Sequence, residues 1–153
     1  MLRRYPDLKF SHLGIAVKSL EKATEQYRLM GYTDTDGAVY EDTLQKVRTR
    51  FLKKDGVVIE LIEAFDKEVD SPLNNYLKGS FHTIYHICYS VADLDEAVNL
   101  LVKHKYRMMS EIIPGIGFGD SRICFMFNMY CGLIELVEKK ISVNSTHVKH
   151  GAV

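Results

Sequence analysis

The chain says nearly the same thing twice. Phe10 to Ala23, FSHLGIAVKSLEKA, is matched 74 residues later by Ile84 to Ala97, IYHICYSVADLDEA, which places His86 on His12, Val91 on Val17, Leu94 on Leu20 and Ala97 on Ala23. Val58 to Glu63, VIELIE, is matched at an offset of 75 by Leu133 to Glu138, LIELVE, which places Glu135 on Glu60. Each half therefore carries one histidine near its start and one glutamate near its end. The period is too long for a solenoid unit, and two copies imply a pair of modules related by a pseudo-two-fold and sharing one core.

Each module reads as strand, helix, then about three strands, an α+β plan. In the first half, Phe10 to Val17 forms a strand, and Ser19 caps a helix that runs to about Met30 with Glu21 in its first turn, where the helix dipole favours an acid. Leu20, Ala23, Tyr27 and Met30 recur at helical spacing and pack on the sheet. Strands follow at Tyr32 to Thr35 and Val47 to Lys53, and Asp55-Gly56 turns the chain into Val57 to Ala64. Between the modules, Ser71, Pro72 and Gly79 mark the cap, first turn and end of a short helix. The second half repeats the plan with a strand from Thr83 to Val91, a helix to about His104, and strands near Tyr106 to Met109, Ser121 to Phe127 and Gly132 to Glu138. Module one thus spans about 9–66, the intermodule helix about 71–79 and module two about 82–139, all within a single domain, and 140–153 reads as a loose tail. Pro114 to Asp120, PGIGFGD, is a mobile hairpin loop; its glycines lack the Lys-Ser/Thr that a phosphate-binding loop requires.

At 153 residues, 46% apolar, the chain is long enough to bury a substantial core. Its 20 basic and 20 acidic residues balance, so no global charge draws it to nucleic acid or an anionic membrane. The apolar run Ile123 to Val137 is broken by Asn128 and Glu135 and is too short to span a bilayer. Cys88, Cys124 and Cys131 are odd in number and form no CxxC, which fits a reducing compartment. The start, MLRRYPDLKF, lacks the apolar stretch of a signal peptide, so the expected location is cytoplasmic.

Side chains alternate along a strand, so His12 shares a face with Phe10, Gly14 and Ala16, and His86 shares one with Ile84, Cys88 and Ser90. The small members of these sets leave room beside the imidazoles, while Leu13, Ile15 and Val17 face the helices. Glu60 and Glu135 sit inside strongly apolar strands, where a carboxylate is costly unless paired or metal-bound. Two neutral imidazoles and two carboxylates carry a charge of minus two, which one divalent cation cancels. His12, Glu60, His86 and Glu135 are therefore the candidate metal ligands.

At these residues the chain resembles the vicinal oxygen chelate superfamily, the glyoxalase, bleomycin-resistance and extradiol-dioxygenase group, over about Phe10 to Lys139. HLGIAVKSLEKA, DSPLNNYL, YHICYSVADLDEAV and GLIELVE look most like its methylmalonyl-CoA epimerase branch and glyoxalase-like neighbours. The resemblance implies paired βαβββ modules whose strands form a cupped mixed sheet around one metal, and a homodimer. His12, His86 and Glu135 match its metal ligands, and Glu60 matches a fourth position at which Glu or Gln occurs. It implies one divalent ion, nickel, cobalt or zinc, and an isomerase, epimerase or lyase that removes a proton next to the carbonyl of a small molecule or acyl thioester. Glu135 and Glu60 are then the candidate catalytic carboxylates. A second carboxylate expected after the first helix falls on Leu44, with Glu41 and Asp42 nearby, and Arg48, Arg50 and Arg122 are candidates for coenzyme A phosphates. The alternatives are an iron-dependent dioxygenase, from whose usual two-histidine, one-carboxylate face this set departs, and a non-catalytic binding or resistance protein, which would need no full ligand set.

Overall fold

The computed structural model describes residues 8–139; the tail assigned to 140–153 lies outside them. In chain order the elements are β1 (Lys9–Val17), α1 (Leu20–Leu29), β2 (Thr33–Asp34), β3 (Tyr40–Asp42), β4 (Val47–Lys54), β5 (Val57–Ala64), α2 (Pro72–Tyr76), β6 (His82–Val91), α3 (Leu94–Lys103), β7 (Arg107–Met108), β8 (Ile113–Pro114), β9 (Arg122–Asn128) and β10 (Gly132–Glu138). All ten strands join one mixed sheet in the order β2-β4-β5-β1-β6-β10-β9-β7, with β3 added to β4 and β8 to β9. The order is a palindrome of the two halves. In each, the first strand pairs parallel with the last, and β1 and β6 meet antiparallel at the join. No helix among the described residues is long and apolar enough to cross a membrane.

The two faces are built from the alternation expected of half-buried strands. Outward, Ile15, Val17, Leu52, Ile59 and Leu61 pack with Leu20 of α1, and Ile134, Leu136, Cys124 and Met126 pack with Leu94, Ala97, Val98 and Leu101 of α3. Each fully buried Leu or Val contributes roughly 1.5–3 kcal/mol, so these two clusters hold the helices on the sheet. Inward, Ala16, Ile62 and Ala64 pack with Leu73 and Leu77 at α2, while Cys88, Ile123, Phe125 and Val137 form a fourth cluster.

The doubled VIELIE and LIELVE segments place two glutamates three residues apart, hence on opposite faces. The first points inward. The second caps the helix of its own module: Glu63 accepts the Leu20 N–H at 3.3 Å and Glu138 the Leu94 N–H at 3.1 Å. Ser19 and Asp93 complete the caps by accepting from Lys22 and Glu96. Arg48 and Arg122, again repeat equivalents, close on these capping carboxylates at 3.3 and 2.8 Å. Sequence periodicity located the long elements within two residues but left out β3 and β8, which are too short to show any period.

Candidate metal centre

The antiparallel join sets the ligands in two rows across the sheet. Glu60, Gly14 and His86 lie side by side on β5, β1 and β6. Glu135, Cys88 and His12 lie side by side on β10, β6 and β1. Each row has a small residue in the middle, so its outer imidazole and carboxylate lean together over it. At Gly14 this is obligatory: a Cβ there would stand 2.2 Å from His86 Cε1. The expectation that small residues leave room beside the histidines is met most sharply at this position.

Two β-bulges aim the histidines. Between the pairs Phe10–Tyr89 and His12–Cys88 the extra residue is Ser11, and between Gly14–His86 and Ile15–Ile84 it is Tyr85. These positions are also 74 residues apart, so the bulges belong to the repeat. A bulge twists the strand locally and redirects the side chains beside it. Ser11 Oγ lies 3.1 Å from His12 Nδ1, which leaves Nε2 to face inward. No sequence signal marked either bulge.

All four expected ligands converge. His12, Glu60, His86 and Glu135 are at most 6% exposed, and one donor atom from each lies within 4.8 Å of the others. His12 Nε2 stands 3.1 Å from Glu60 Oε2 and 3.5 Å from Glu135 Oε2; His86 Nε2 stands 2.9 Å from Glu135 Oε2 and 3.5 Å from Glu60 Oε2. Ligands about 2.1 Å from a cation, at octahedral or tetrahedral angles, sit about 3.0–3.5 Å from one another, so the spacing suits an ion at the centre. Glu135 Oε2 is the sharper test. It is buried and, despite its approach to His86, makes no aligned hydrogen bond; an unpaired buried oxygen is costly, and a cation would satisfy it. The donor set therefore fits a divalent metal. Cys88, between His12 and Glu135, is pushed up to about 12 by burial, so without an ion it adds no negative charge to the cluster.

Without an ion, the four groups compensate one another. Burial disfavours protonation of His12, but the Cys88 thiol, Glu135 and Glu60 outweigh it and push it up to about 11. Burial likewise opposes the charge of Glu135 on His86, which wins and raises it to about 9. Glu135, against its own burial, is held down to about 2 by His86 and His12, and Glu60, also against its burial, is lowered by its approach to His12 and His86. A histidine raised in the folded state stabilises the fold below its ordinary value near 6.5, and that stabilisation is lost as pH rises through the raised value. Between pH 7 and 9 the metal-free protein should therefore lose on the order of 1.4 kcal/mol per pH unit for each histidine. We expect its melting temperature to fall by roughly 10–20 °C over that window, while the metal-loaded protein, whose imidazoles carry no proton to lose, holds steady. Differential scanning fluorimetry with and without chelator measures both; a flat profile for the chelated protein would contradict the pairing.

A cavity of about 470 Å³ opens beside the quartet, lined by Glu60, His86 and Glu135 but not by His12. His12 is covered instead: Phe118 stacks on its ring at 5.6 Å and Phe51 meets it edge-on at 5.4 Å. The 114–120 loop is thus a hairpin loop as expected, but one anchored by Phe118. Gly117, at φ +90°, turns it tightly against Phe51 and Tyr40. The rest of the cavity wall is mostly apolar, including Ile62, Leu73, Tyr76 and Phe125. Among the acids near the vacant Leu44 position, Glu41 lies opposite Arg48 on β4, whereas Asp42 is buried on the cavity wall, accepting hydrogen bonds from Gln45 N and Nε2 at 2.8 Å each. Leu44 is itself exposed. The three arginines considered for coenzyme A do not line this cavity. Arg48 and Arg122 hold the helix-capping glutamates and Arg50 pairs with Asp34 at 2.7 Å, because strand alternation puts all three on the outer side or its edge.

The sequence pattern of the glyoxalase/bleomycin resistance protein/dioxygenase superfamily matches residues 11–125. The chain belongs to that superfamily. It is 30% identical over 134 residues to the mitochondrial methylmalonyl-CoA epimerase of Dictyostelium discoideum, covering 86% of this chain and 78% of the other. The methylmalonyl-CoA epimerase structure from Mycobacterium tuberculosis superposes with a TM-score of 0.72 at 28% identity, over 90% of this chain and 92% of that one. A Streptomyces coelicolor epimerase variant in complex with 2-nitronate-propionyl-CoA superposes with a TM-score of 0.71 at 26% identity, over 86% and 96%. The superfamily member thus shares the mixed sheet of these epimerases and carries a His, Glu, His, Glu cluster on its inner face.

Proposed function

We propose that this protein is a metal-dependent epimerase or isomerase that moves the proton next to a carbonyl, with an acyl thioester such as methylmalonyl-CoA as the favoured substrate class. The observation that carries the reading is the buried quartet at the wall of a cavity, in a chain similar along most of its length to methylmalonyl-CoA epimerases. A divalent ion held by His12, Glu60, His86 and Glu135, with nickel, cobalt or zinc suited to two imidazoles and two carboxylates, would supply stabilisation for negative charge collecting on a carbonyl oxygen as the adjacent carbon loses a proton. Glu135, or Glu60 beside it, takes that proton. The mostly apolar wall keeps water from competing for it and strengthens the charge interactions within.

Epimerisation also needs a proton delivered to the opposite face of the carbon. Asp42 enters the cavity from β3, a separate wall from β10, with both oxygens held by Gln45, and we assign it this second role in place of the absent carboxylate at Leu44. The setting follows the same reading: the three free cysteines suit a reducing compartment such as the cytosol, and a homodimer is the expected assembly, checked by light scattering.

The decisive measurement is proton exchange in deuterated water, across acyl thioesters and hemithioacetals, with the metal-loaded protein. The wild type should both exchange and invert its substrate. Asp42→Asn should keep exchange but slow inversion by ~100-fold, the usual worth of a positioned acid. A metal-loaded wild type that exchanges no proton in any of these compounds would end the proposal.

A further inference from the structure

The two bulges have parted company in their work. Ser11 in module one touches the ligand beside it. Its repeat equivalent Tyr85 instead lines the cavity, and His86 Nδ1 has no hydrogen-bond partner among the described residues. Three aromatic contacts hold the Tyr85 ring. Tyr76 meets it edge-on at 5.2 Å, His86 meets it at 5.4 Å, and Phe125 lies tilted at 6.4 Å. Its hydroxyl makes no hydrogen bond to any described residue, although Tyr hydroxyls in such surroundings usually find a partner.

Access to the quartet is one-sided. Phe51 and Phe125 are repeat equivalents, and each stands edge-on to its own histidine at 5.4 Å. The symmetry breaks at the next ring. On the His12 side Phe118 fills the space, while on the His86 side Tyr85 stands at the cavity wall and the space stays open. A ligand in the cavity therefore meets Glu60, His86 and Glu135 with Tyr85 beside them.

We infer that the Tyr85 hydroxyl is a substrate-binding donor, giving a hydrogen bond to a carboxylate or carbonyl oxygen of a substrate seated over His86. This rests on the function proposed above for its substrate class, but not on turnover. The ligand it selects has more acceptor oxygens than a metal alone engages, as a dicarboxylate or its thioester does. Tyr85 then sets which oxygenated compounds bind, and Phe118 sets the side from which they enter.

The test is Tyr85→Phe, which keeps the ring and removes only the hydroxyl. Cobalt-substituted wild type and variant are titrated with methylmalonate, followed by the visible cobalt bands, and metal content is measured in parallel. The variant should retain one cobalt and bind methylmalonate ~5–10-fold more weakly, the range of a single hydrogen bond to a ligand, and KM for a turned-over thioester should rise with little change in kcat. Equal affinity in the two proteins overturns the assignment, as does loss of cobalt, which would mean that Tyr85 acts through His86. If the wild type binds methylmalonate in a Tyr85-dependent way yet exchanges no substrate proton, the proposed function fails and this assignment stands.

Discussion

Gly14→Ala should strip the protein of its metal while leaving it folded. The added methyl would stand 2.2 Å from His86 Cε1, with Nδ1 and Nε2 each at 2.5 Å, all far inside van der Waals contact. The intruding atom sits on the backbone of a central strand paired on both sides, to β5 and β6, so it cannot move away. The imidazole must yield. Swinging it off its place breaks the 2.9 Å approach to Glu135 and the 3.5 Å approaches to His12 and Glu60. A site left with three ligands, one of its carboxylates no longer opposite an imidazole, should bind a divalent ion at least ~100-fold more weakly, comparable to the loss on removing a ligand's support. Gly14 has an ordinary strand conformation, so alanine brings no backbone strain of its own. Circular dichroism should show a native sheet, elemental analysis should show substoichiometric metal, and exchange activity should fall with metal content. An alanine variant that retained full metal would mean that the Glu60–Gly14–His86 row does not place His86.

The same row explains how far the sequence could be read. The repeat named His12, His86, Glu60 and Glu135 as equivalents, and the period of two placed each on the inner face, because both signals follow from backbone geometry that the long strands obey. What lay beyond reach came from residues acting across the sheet. The register that sets Gly14 between Glu60 and His86 is a pairing between strands that are distant in sequence. The bulges at Ser11 and Tyr85 add a residue without altering composition, so simple alternation could not turn Tyr85 toward the cavity. Glu63 and Glu138 were visible as repeated residues, but their capping of α1 and α3, and the claim of Arg48 and Arg122 on them, needed the helices docked. Phe118 sits in a glycine-rich stretch that reads as a mobile hairpin loop; only its contact with His12 and Phe51 shows that it closes one side of the centre.

Glu135→Gln should be the most damaging single change in the chain. The carboxamide nearly matches the carboxylate in volume, so the buried space that Glu135 fills opposite Cys88 on β6 stays filled and the effect is one of charge. With a divalent ion bound, two neutral imidazoles and two carboxylates would cancel its charge; in the variant one positive charge would be left over in a site at most 6% exposed. An uncompensated charge at such depth costs several kcal/mol, more than 10²-fold in affinity for each 3 kcal/mol. The metal-free state offers no refuge, because Glu135 is among the groups that raise His12 and His86 and keep their protons in place. That variant should therefore show a smaller high-pH fall in melting temperature than the metal-free wild type, since Glu60 still faces both histidines, and should lose its metal. On the proposed function, turnover should fall at least ~10³-fold, since the ion's stabilisation and the proposed proton carrier are removed together. Adding excess nickel, cobalt or zinc separates the two losses: a residue that only held the ion would be rescued by saturating metal, whereas one that also moves the proton leaves the loaded variant inactive. Full activity in Glu135→Gln would remove the residue from both roles.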